Sequence, residues 1–182
     1  MSEYAPPPPD DKDWTWVVER TCPQCGFDAS RVTVEQAPGM ITALTAPWAD
    51  VLGRDDVAVR PAPEVWSALE YACHVRDVCL VFSERTTLML EHEAPTFANW
   101  DQDEAAVQGR YLHQDPTAVG TGIGQAATAW AKQLREVQGA KWERPGLRGN
   151  GAQFTVLTLT RYGLHDLAHH LVDVGAVESH AS

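Results

Sequence analysis

Four long segments of the chain repeat apolar residues at the three- and four-residue spacings of an α-helix. The second of them begins near Pro63 and Glu64 and runs to about His92. Its predicted buried stripe consists of Val65, Leu69, Ala72, Val75, Cys79 and Phe82. Proline suits the first turn of a helix, because an N–H there would have no partner within the helix. This pattern favours a protein built from packed helices.

The other three helical segments carry their own start and stop signals. The first covers residues 30 or 33 to 52, and we expect Pro38-Gly39 to bend or interrupt its first turns. The third covers residues 115–139 and begins with an aspartate cap followed by proline. The fourth covers residues 153–174, and Gly175 is its expected stop. Four amphipathic helices of this length predict an all-α fold, a four-helix bundle.

The chain is long enough for one domain with a core of its own. We expect a short irregular N-terminal extension over residues 1–26, the helical bundle over residues 27–176 and a tail over residues 177–182. Residues 1–13 are predicted to be disordered, because four consecutive prolines followed by charged residues cannot bury apolar surface. The Trp14-Thr-Trp16-Val-Val18 run that follows is expected to be extended or to lie against the domain.

The composition excludes several classes of partner. The formal net charge is −11 and the Lys and Arg residues are scattered, so no basic surface is expected for nucleic acid. No apolar run approaches the roughly 18 residues that cross a bilayer. The start of the chain does not resemble a secretion signal, and we therefore expect a cytoplasmic protein. The expected partners are a small-molecule substrate and a second copy of the chain in a homodimer.

Two histidines four residues apart, His165 and His169, lie in the last helical segment and project from one face of it. Neutral imidazoles hold zinc at about 2.0–2.1 Å. His74, in the second segment, is the predicted third ligand, and three imidazoles from two helices would leave a coordination position open. His170 sits about 100° around the helix from His169 and is expected to point elsewhere. The alternative is that these are half-buried polar residues, each with one hydrogen bond.

The Cys22-Pro-Gln-Cys25 sequence has three interpretations: half of a zinc site, a redox pair or two ordinary thiols. Cys73 and Cys79 are six residues apart on one helix, so they face different ways and are not expected to complete a four-cysteine set. No second Cys-x-x-Cys occurs, and the strand–helix setting of a thioredoxin-like site is missing. A zinc site shared across a dimer stays open as a hypothesis.

A long polar segment between the second and third helices contains a further group of candidates. Loops of this length inside a compact domain are often functional. In the functional interpretation, Trp100 shields the metal, and Asp101 or Asp103 binds substrate or moves a proton. In the alternative interpretation this is a solvated acidic loop.

Two charged residues precede the predicted ligands by one helical turn. Glu70 precedes His74 and would either orient that imidazole or face solvent. Arg161 precedes His165 and would either receive a substrate carboxylate or be a surface cation.

The segments Trp66–Val78 and Arg161–Leu171 resemble the DinB family, which includes mycothiol-dependent maleylpyruvate isomerases and bacterial thiol S-transferases. The resemblance covers about residues 27–174. It implies an up-down-down-up four-helix bundle that holds a divalent metal, usually zinc or nickel. One family ligand comes from the second helix and an H-x-x-x-H pair comes from the last, which corresponds here to His74, His165 and His169. The cysteine pair and the paired tryptophans at the front depart from the simplest members.

Three hypotheses for function follow from this resemblance and the predicted metal site. The first is a metal-dependent S-transferase or isomerase that uses a low-molecular-weight thiol such as mycothiol. A divalent metal would lower the thiol pKa, and the thiolate would attack a small electrophile. The second is a hydrolase in which the metal activates water and Asp101, Asp103 or Glu70 is the general base. The third is a non-catalytic metal-binding stress protein.

Overall fold

The structure is a computed structural model that describes residue 7 and residues 12–178. Most of the predicted disordered N-terminal tail, and residues 179–182 of the predicted C-terminal tail, lie outside the described residues. The α-helices are α1 Ala37–Thr45, α2 Trp48–Leu52, α3 Ala68–Glu91, α4 Gln102–Gln108, α5 Pro116–Glu136 and α6 Val156–Asp173. Short 3-10 helices cover Thr15–Val18, Ala29–Arg31, Tyr111–His113 and Gly139–Glu143. The strands are β1 Thr96–Phe97, β2 Pro145–Arg148 and β3 Gln153–Thr155.

Helices α1, α3, α5 and α6 form a four-helix bundle, as predicted. Both α1 and α3 pack against α5 and α6, so the core lies between the four helices. The largest side chains buried there include Ile41, Phe82, Trp130 and Leu164. Across residue 7 and residues 12–178, no helix has both the length and the apolar character needed to span a membrane.

The first predicted helix begins later than residue 30 or 33 and is divided in two. Helix α1 begins at Ala37, and Pro38 lies in its first turn, where the missing N–H costs no hydrogen bond. Pro38-Gly39 thus marks the start of the helix and does not bend it. A break that was not predicted comes at Pro47, which cannot donate to the carbonyl one turn back, and α2 begins at Trp48.

Helix α3 begins at Ala68, five residues later than Pro63, because Ser67 forms a capping box with Glu70. The Glu70 backbone N–H donates to Ser67 Oγ at 3.3 Å, and the Ser67 N–H donates to Glu70 Oε2 at 2.9 Å. Two N–H groups at the start of the helix are thereby satisfied. Helix α5 begins as predicted, with the Asp115 side chain accepting from the Ala118 N–H at 2.8 Å.

A small three-stranded sheet closes one end of the bundle, in the order β1-β2-β3. Strand β1 is parallel to β2 and pairs Thr96 with Leu147, whereas β2 is antiparallel to β3 and pairs Gly146 with Phe154. The sequence had indicated loops for β1 and β2 and helix for β3. These strands are too short for an alternating pattern to distinguish them from loop or helix.

The Trp14–Val18 run lies against the domain, which was one of the two predicted arrangements. The 3-10 helix at residues 15–18 packs on α6, and its Val17 is fully buried. Further along, where the bundle domain begins, the Arg161 guanidinium on α6 donates to the Val32 carbonyl from Nε at 3.1 Å and from Nη2 at 2.8 Å. These contacts hold both segments beside α6.

The closest approach of α6 to its neighbours occurs at Gly163. A Cβ atom at this position would lie 2.8 Å from both Phe82 on α3 and Trp130 on α5. We expect Gly163→Ala to lower the free energy of unfolding by about 1–3 kcal/mol, because the added methyl group overpacks the core. Urea unfolding followed by circular dichroism measures this change.

The matched control is Gly124→Ala on α5, where an added Cβ would meet no atom within 4 Å. This variant should gain up to about 1 kcal/mol from the higher helix propensity of alanine. Equal changes in the two variants would contradict the close approach at Gly163.

Candidate metal centre

Side chains capable of binding metal form two clusters around α6 in the described residues. Within each cluster, one ligand atom of every member lies within 4.8 Å of those of the other members. The His–Asp cluster consists of His74, Asp166 and His170. The Cys–His cluster consists of Cys22, Cys25, His165 and His169.

The structure divides the three predicted histidine ligands between these clusters. His74 on α3 faces Asp166 and His170, whereas His165 and His169 face the N-terminal extension. The physical reason is that consecutive helical residues point about 100° apart, so the pairs 165/169 and 166/170 occupy neighbouring faces of α6. The predicted set of His74, His165 and His169 is therefore not brought together, and His170 does not point away.

Sequence reasoning missed Asp166 and His170 as ligands, although a signal was present. Asp166-x-x-x-His170 has the same four-residue spacing as the histidine pair, and a carboxylate is also a zinc ligand. Spacing alone cannot determine which of two adjacent faces of a helix meets α3.

The separations within the His–Asp cluster lie near those of ligands around one ion. Asp166 Oδ1 lies 2.8 Å from His170 Nε2 and 3.5 Å from His74 Nε2. Tetrahedral ligands that each bind zinc at about 2.0–2.2 Å stand roughly 3.3–3.6 Å apart, so the contact with His74 agrees, whereas the contact with His170 is that of a hydrogen-bonded ion pair and would lengthen around an ion. His74 is fully buried. Among the described residues its Nδ1 has no hydrogen-bond partner, and its Nε2 makes only the 3.5 Å ion-pair contact with Asp166, at the limit of a hydrogen bond. Because a buried nitrogen so weakly paired is costly, these residues fit a bound cation.

Electrostatics in the cluster also favour positive charge at this point. Burial opposes the ionisation of Asp166, but His74 and His170 outweigh it and hold the pKa of the carboxyl well below its usual range. Burial also disfavours the charged form of His170, yet the adjacent Asp166 and Asp173 raise its pKa to about 9. A metal ion at this cluster would displace the proton of His170, so its binding would release a proton and would weaken as the pH falls.

Asp173 fixes the orientation of His170. Its Oδ2 lies 2.8 Å from His170 Nδ1, on the opposite side of the ring from Asp166. A carboxylate behind a ligand histidine sets its tautomer and raises its basicity. His170 Nε2 is therefore the nitrogen directed to the cluster.

The His–Asp cluster opens onto a cleft of about 600 Å³. Trp100 stacks on His74 with ring centroids 5.2 Å apart and planes 4° apart, and Trp66 lies 5.5 Å from the same imidazole. Both tryptophans also line the cleft. Trp100 therefore lies where its predicted shielding role requires.

Asp101 and Asp103 line the cleft as well. Asp101 Oδ1 accepts from the backbone N–H groups of Asp103 at 3.0 Å and Glu104 at 2.9 Å, and so it caps α4. The segment predicted as one long loop therefore contains this helix. The predicted roles of the two carboxylates in acid–base chemistry stay predictions.

Glu70 and Arg161 do not line the cleft. Glu70 is buried in the capping box, and Arg60 Nε donates to its Oε2 at 2.9 Å. Arg161 is engaged by the Val32 carbonyl instead of a substrate carboxylate. The cations that do line the cleft are Lys12 and Arg148, which no motif marked in the sequence.

The Cys–His cluster adjoins the same cleft, which His165 and His169 also line. Cys22 Sγ is 3.8 Å from His169 Nδ1, and both cysteines are buried. Burial, together with the neighbouring His169, lowers the pKa of His165 to about 4, so this imidazole is neutral at physiological pH. The side chains that lie beside Cys22 and Cys25 are thus His165 and His169 of α6. Cys73 and Cys79 are not part of this cluster, as expected.

This chain belongs to the DinB superfamily, which it matches over residues 40–173. Its fold is similar to that of a protein described as "YfiT from Bacillus subtilis is a probable metal-dependent hydrolase with an unusual four-helix bundle topology". The TM-score is 0.71 at 16% identity, over 79% of this chain and 84% of that chain, a likeness that shows the fold. None of the curated proteins compared matches the chain. The His–Asp cluster lies within the family match, whereas Cys22 and Cys25 precede it.

We expect Asp166→Ala and His170→Ala each to remove one equivalent of bound divalent metal from the metal-loaded protein. Each substitution leaves two of the three ligands, too few to hold the ion through dialysis. Elemental analysis after dialysis measures the metal content. The control is His113→Ala, which changes an exposed histidine outside both clusters. Wild-type metal content in both cluster variants would contradict a metal centre here.

Proposed function

We propose that this protein is a divalent-metal-dependent enzyme that transfers a low-molecular-weight thiol to a small electrophile or uses the thiol to isomerise it. One observation carries the proposal. Ligand atoms of His74, Asp166 and His170 lie within 4.8 Å of one another, and Asp166 and His170 line a cleft large enough for a small molecule. Zinc sites with three protein ligands and an open position are typically catalytic.

His74, Asp166 and His170 are the residues that would hold the metal. A divalent cation bound there supplies a Lewis acid, which lowers the pKa of a thiol or a water and polarises an electrophile. Asp173 keeps His170 oriented through the 2.8 Å contact with its Nδ1. Trp100 covers the His74 ring and excludes water from that side of the cluster.

The lining of the cleft suits a polyhydroxylated thiol together with a small anionic substrate. Its volume of about 600 Å³ falls in the range of small-molecule sites, about 300–1,000 Å³. Aromatic faces are supplied by Trp66 and Trp100, and amide groups by Asn99 and Asn150. Such a combination can stack on a sugar ring and bond its hydroxyls, which favours mycothiol, a thiol built on an amino sugar and an inositol. Arg148 is placed to pair with a substrate carboxylate.

Asp103 is our candidate for moving a proton between the substrate and solvent. It lines the cleft in the first turn of α4, and it carries a carboxylate suited to general acid–base work. Asp101 lines the same wall, and its Oδ1 caps α4 by accepting two backbone N–H groups.

A hydrolase is the second candidate. The observation that favours it is the presence of two carboxylates, on Asp101 and Asp103, in the cleft that contains the metal cluster. Either could act as the general base toward an attacking water. The similar protein YfiT is itself described as a probable metal-dependent hydrolase.

The thiol requirement distinguishes the two candidates. We expect zinc- or nickel-loaded protein to consume mycothiol, bacillithiol or glutathione in the presence of a haloarene, with release of halide, or to isomerise maleylpyruvate only when one of these thiols is present. Free-thiol titration and product mass spectrometry measure the transfer, and chromatography of the product measures the isomerisation, which regenerates the thiol. Turnover of esters or amides without thiol would favour the hydrolase. No turnover on either panel, with a large fall in Tm on chelation, would support a non-catalytic metal-binding protein.

Activity should depend on the His–Asp cluster whichever reaction is found. We expect His170→Ala to lower kcat/KM by about 100-fold or more, since Lewis-acid stabilisation is worth several kcal/mol. His113→Ala serves as the control and should keep wild-type kinetics. Wild-type kcat/KM in a metal-depleted His170→Ala protein would refute the proposal.

A further inference from the structure

We propose that Cys22, Cys25, His165 and His169 form a closed structural zinc site that fastens the N-terminal extension to α6. This site would be separate from the His–Asp cluster and does not depend on the proposed activity. Two thiolates and two imidazoles are a standard complete ligand set for zinc.

The distances in the Cys–His cluster agree with one shared ion. The four ligand atoms lie within 4.8 Å of one another, and Cys22 Sγ is 3.8 Å from His169 Nδ1. Zn–S bonds of about 2.3 Å and Zn–N bonds of about 2.0–2.1 Å place tetrahedral ligands roughly 3.5–3.8 Å apart. Only small shifts would close the cluster around a metal.

Burial gives a second, independent indication of a ligand. Cys22 is 0% exposed, Cys25 7% and His165 5%. His165 Nε2 is buried and has no hydrogen-bond partner among the described residues. Buried polar atoms without a partner are rare in native proteins, and a bound ion is one of the few explanations for them.

The local backbone turns both sulfur atoms toward α6. The Gly26 N–H donates to the Cys22 carbonyl at 2.8 Å, and the Cys22 N–H donates to the Phe27 carbonyl at 3.0 Å. Gly26 has φ +71°, a left-handed conformation that glycine adopts without strain. This tight turn brings Cys25 back beside Cys22, as a two-residue spacing between zinc ligands requires.

The setting argues against a redox pair. Reactive cysteines are partly exposed in an electropositive environment, whereas Cys22 and Cys25 are buried. A disulfide would also give no reason for two imidazoles to converge on the sulfurs from α6. Zinc accounts for all four side chains at once.

The site would hold one wall of the cleft in place. Trp14 packs against His165 and His169, with ring centroids 5.8 and 5.2 Å apart. Lys12, Trp14 and Gln24 all line the cleft that contains the His–Asp cluster. A zinc ion at this point would thus connect the extension, which precedes the family match, to the bundle beside the candidate centre.

Cobalt substitution tests the proposal, because thiolate ligands give a charge-transfer band that the His–Asp cluster cannot produce. We expect cobalt-loaded wild-type protein to show the band. The double variant Cys22→Ser/Cys25→Ser should lose both the band and one metal equivalent. Asp166→Ala should keep the band while losing the metal equivalent of the His–Asp cluster. The two variants therefore test the structural zinc site and the proposed catalytic metal centre independently. Cys79→Ala changes a buried thiol outside the cluster, and it should keep both the band and both equivalents.

If the double variant fails to fold, X-ray absorption on zinc-loaded Asp166→Ala decides the question. A shell of two sulfur and two nitrogen atoms supports the proposal, and a shell without sulfur overturns it. Wild-type metal content in a folded double variant would overturn it as well. A Cys22–Cys25 disulfide in protein purified with metal present would also overturn the proposal.

Discussion

The rotation of about 100° between consecutive residues of α6 is the constraint on which both clusters depend. It directs Asp166 and His170 toward α3, while His165 and His169 face the N-terminal extension. One helix can therefore contribute two ligands to each of two neighbouring clusters. Helix α6 packs closely on α3 and α5 at Gly163, where Phe82 and Trp130 leave no room for a Cβ. This contact helps to fix the rotation of α6 about its axis, and so which of its faces meets α3.

Asp173 links the two clusters through its carboxylate. Oδ2 lies 2.8 Å from His170 Nδ1, and Oδ1 lies 3.9 Å from His169 Nε2. The carboxylate that orients His170 in one cluster thus also lies beside His169 in the other. Any substitution at Asp173 should be interpreted with both clusters in mind, since outer carboxylates tune ligand basicity.

Apolar spacing and capping residues act locally, and from them the sequence predicted the four helices of the bundle but not α4. The family followed instead from the resemblance of two short segments. The sequence also identified His74, Cys22 and Cys25 as residues of interest. It could not separate His165 from Asp166 as the partner of His74, since pairs with the same spacing occupy adjacent faces. It placed Glu70 beside the site, whereas the capping box and Arg60 hold that carboxylate at the start of α3.

Local periodicity and the chemistry of the side chains were thus set by the sequence alone: four amphipathic helices, a Cys-x-x-Cys turn and a histidine-rich last helix. Which ligands share an ion was decided only by tertiary packing. The distance between Cys22 and His169, 147 positions apart, depends on how the extension lies on α6. No short-range pattern encodes that contact, because it results from the packing of the whole core.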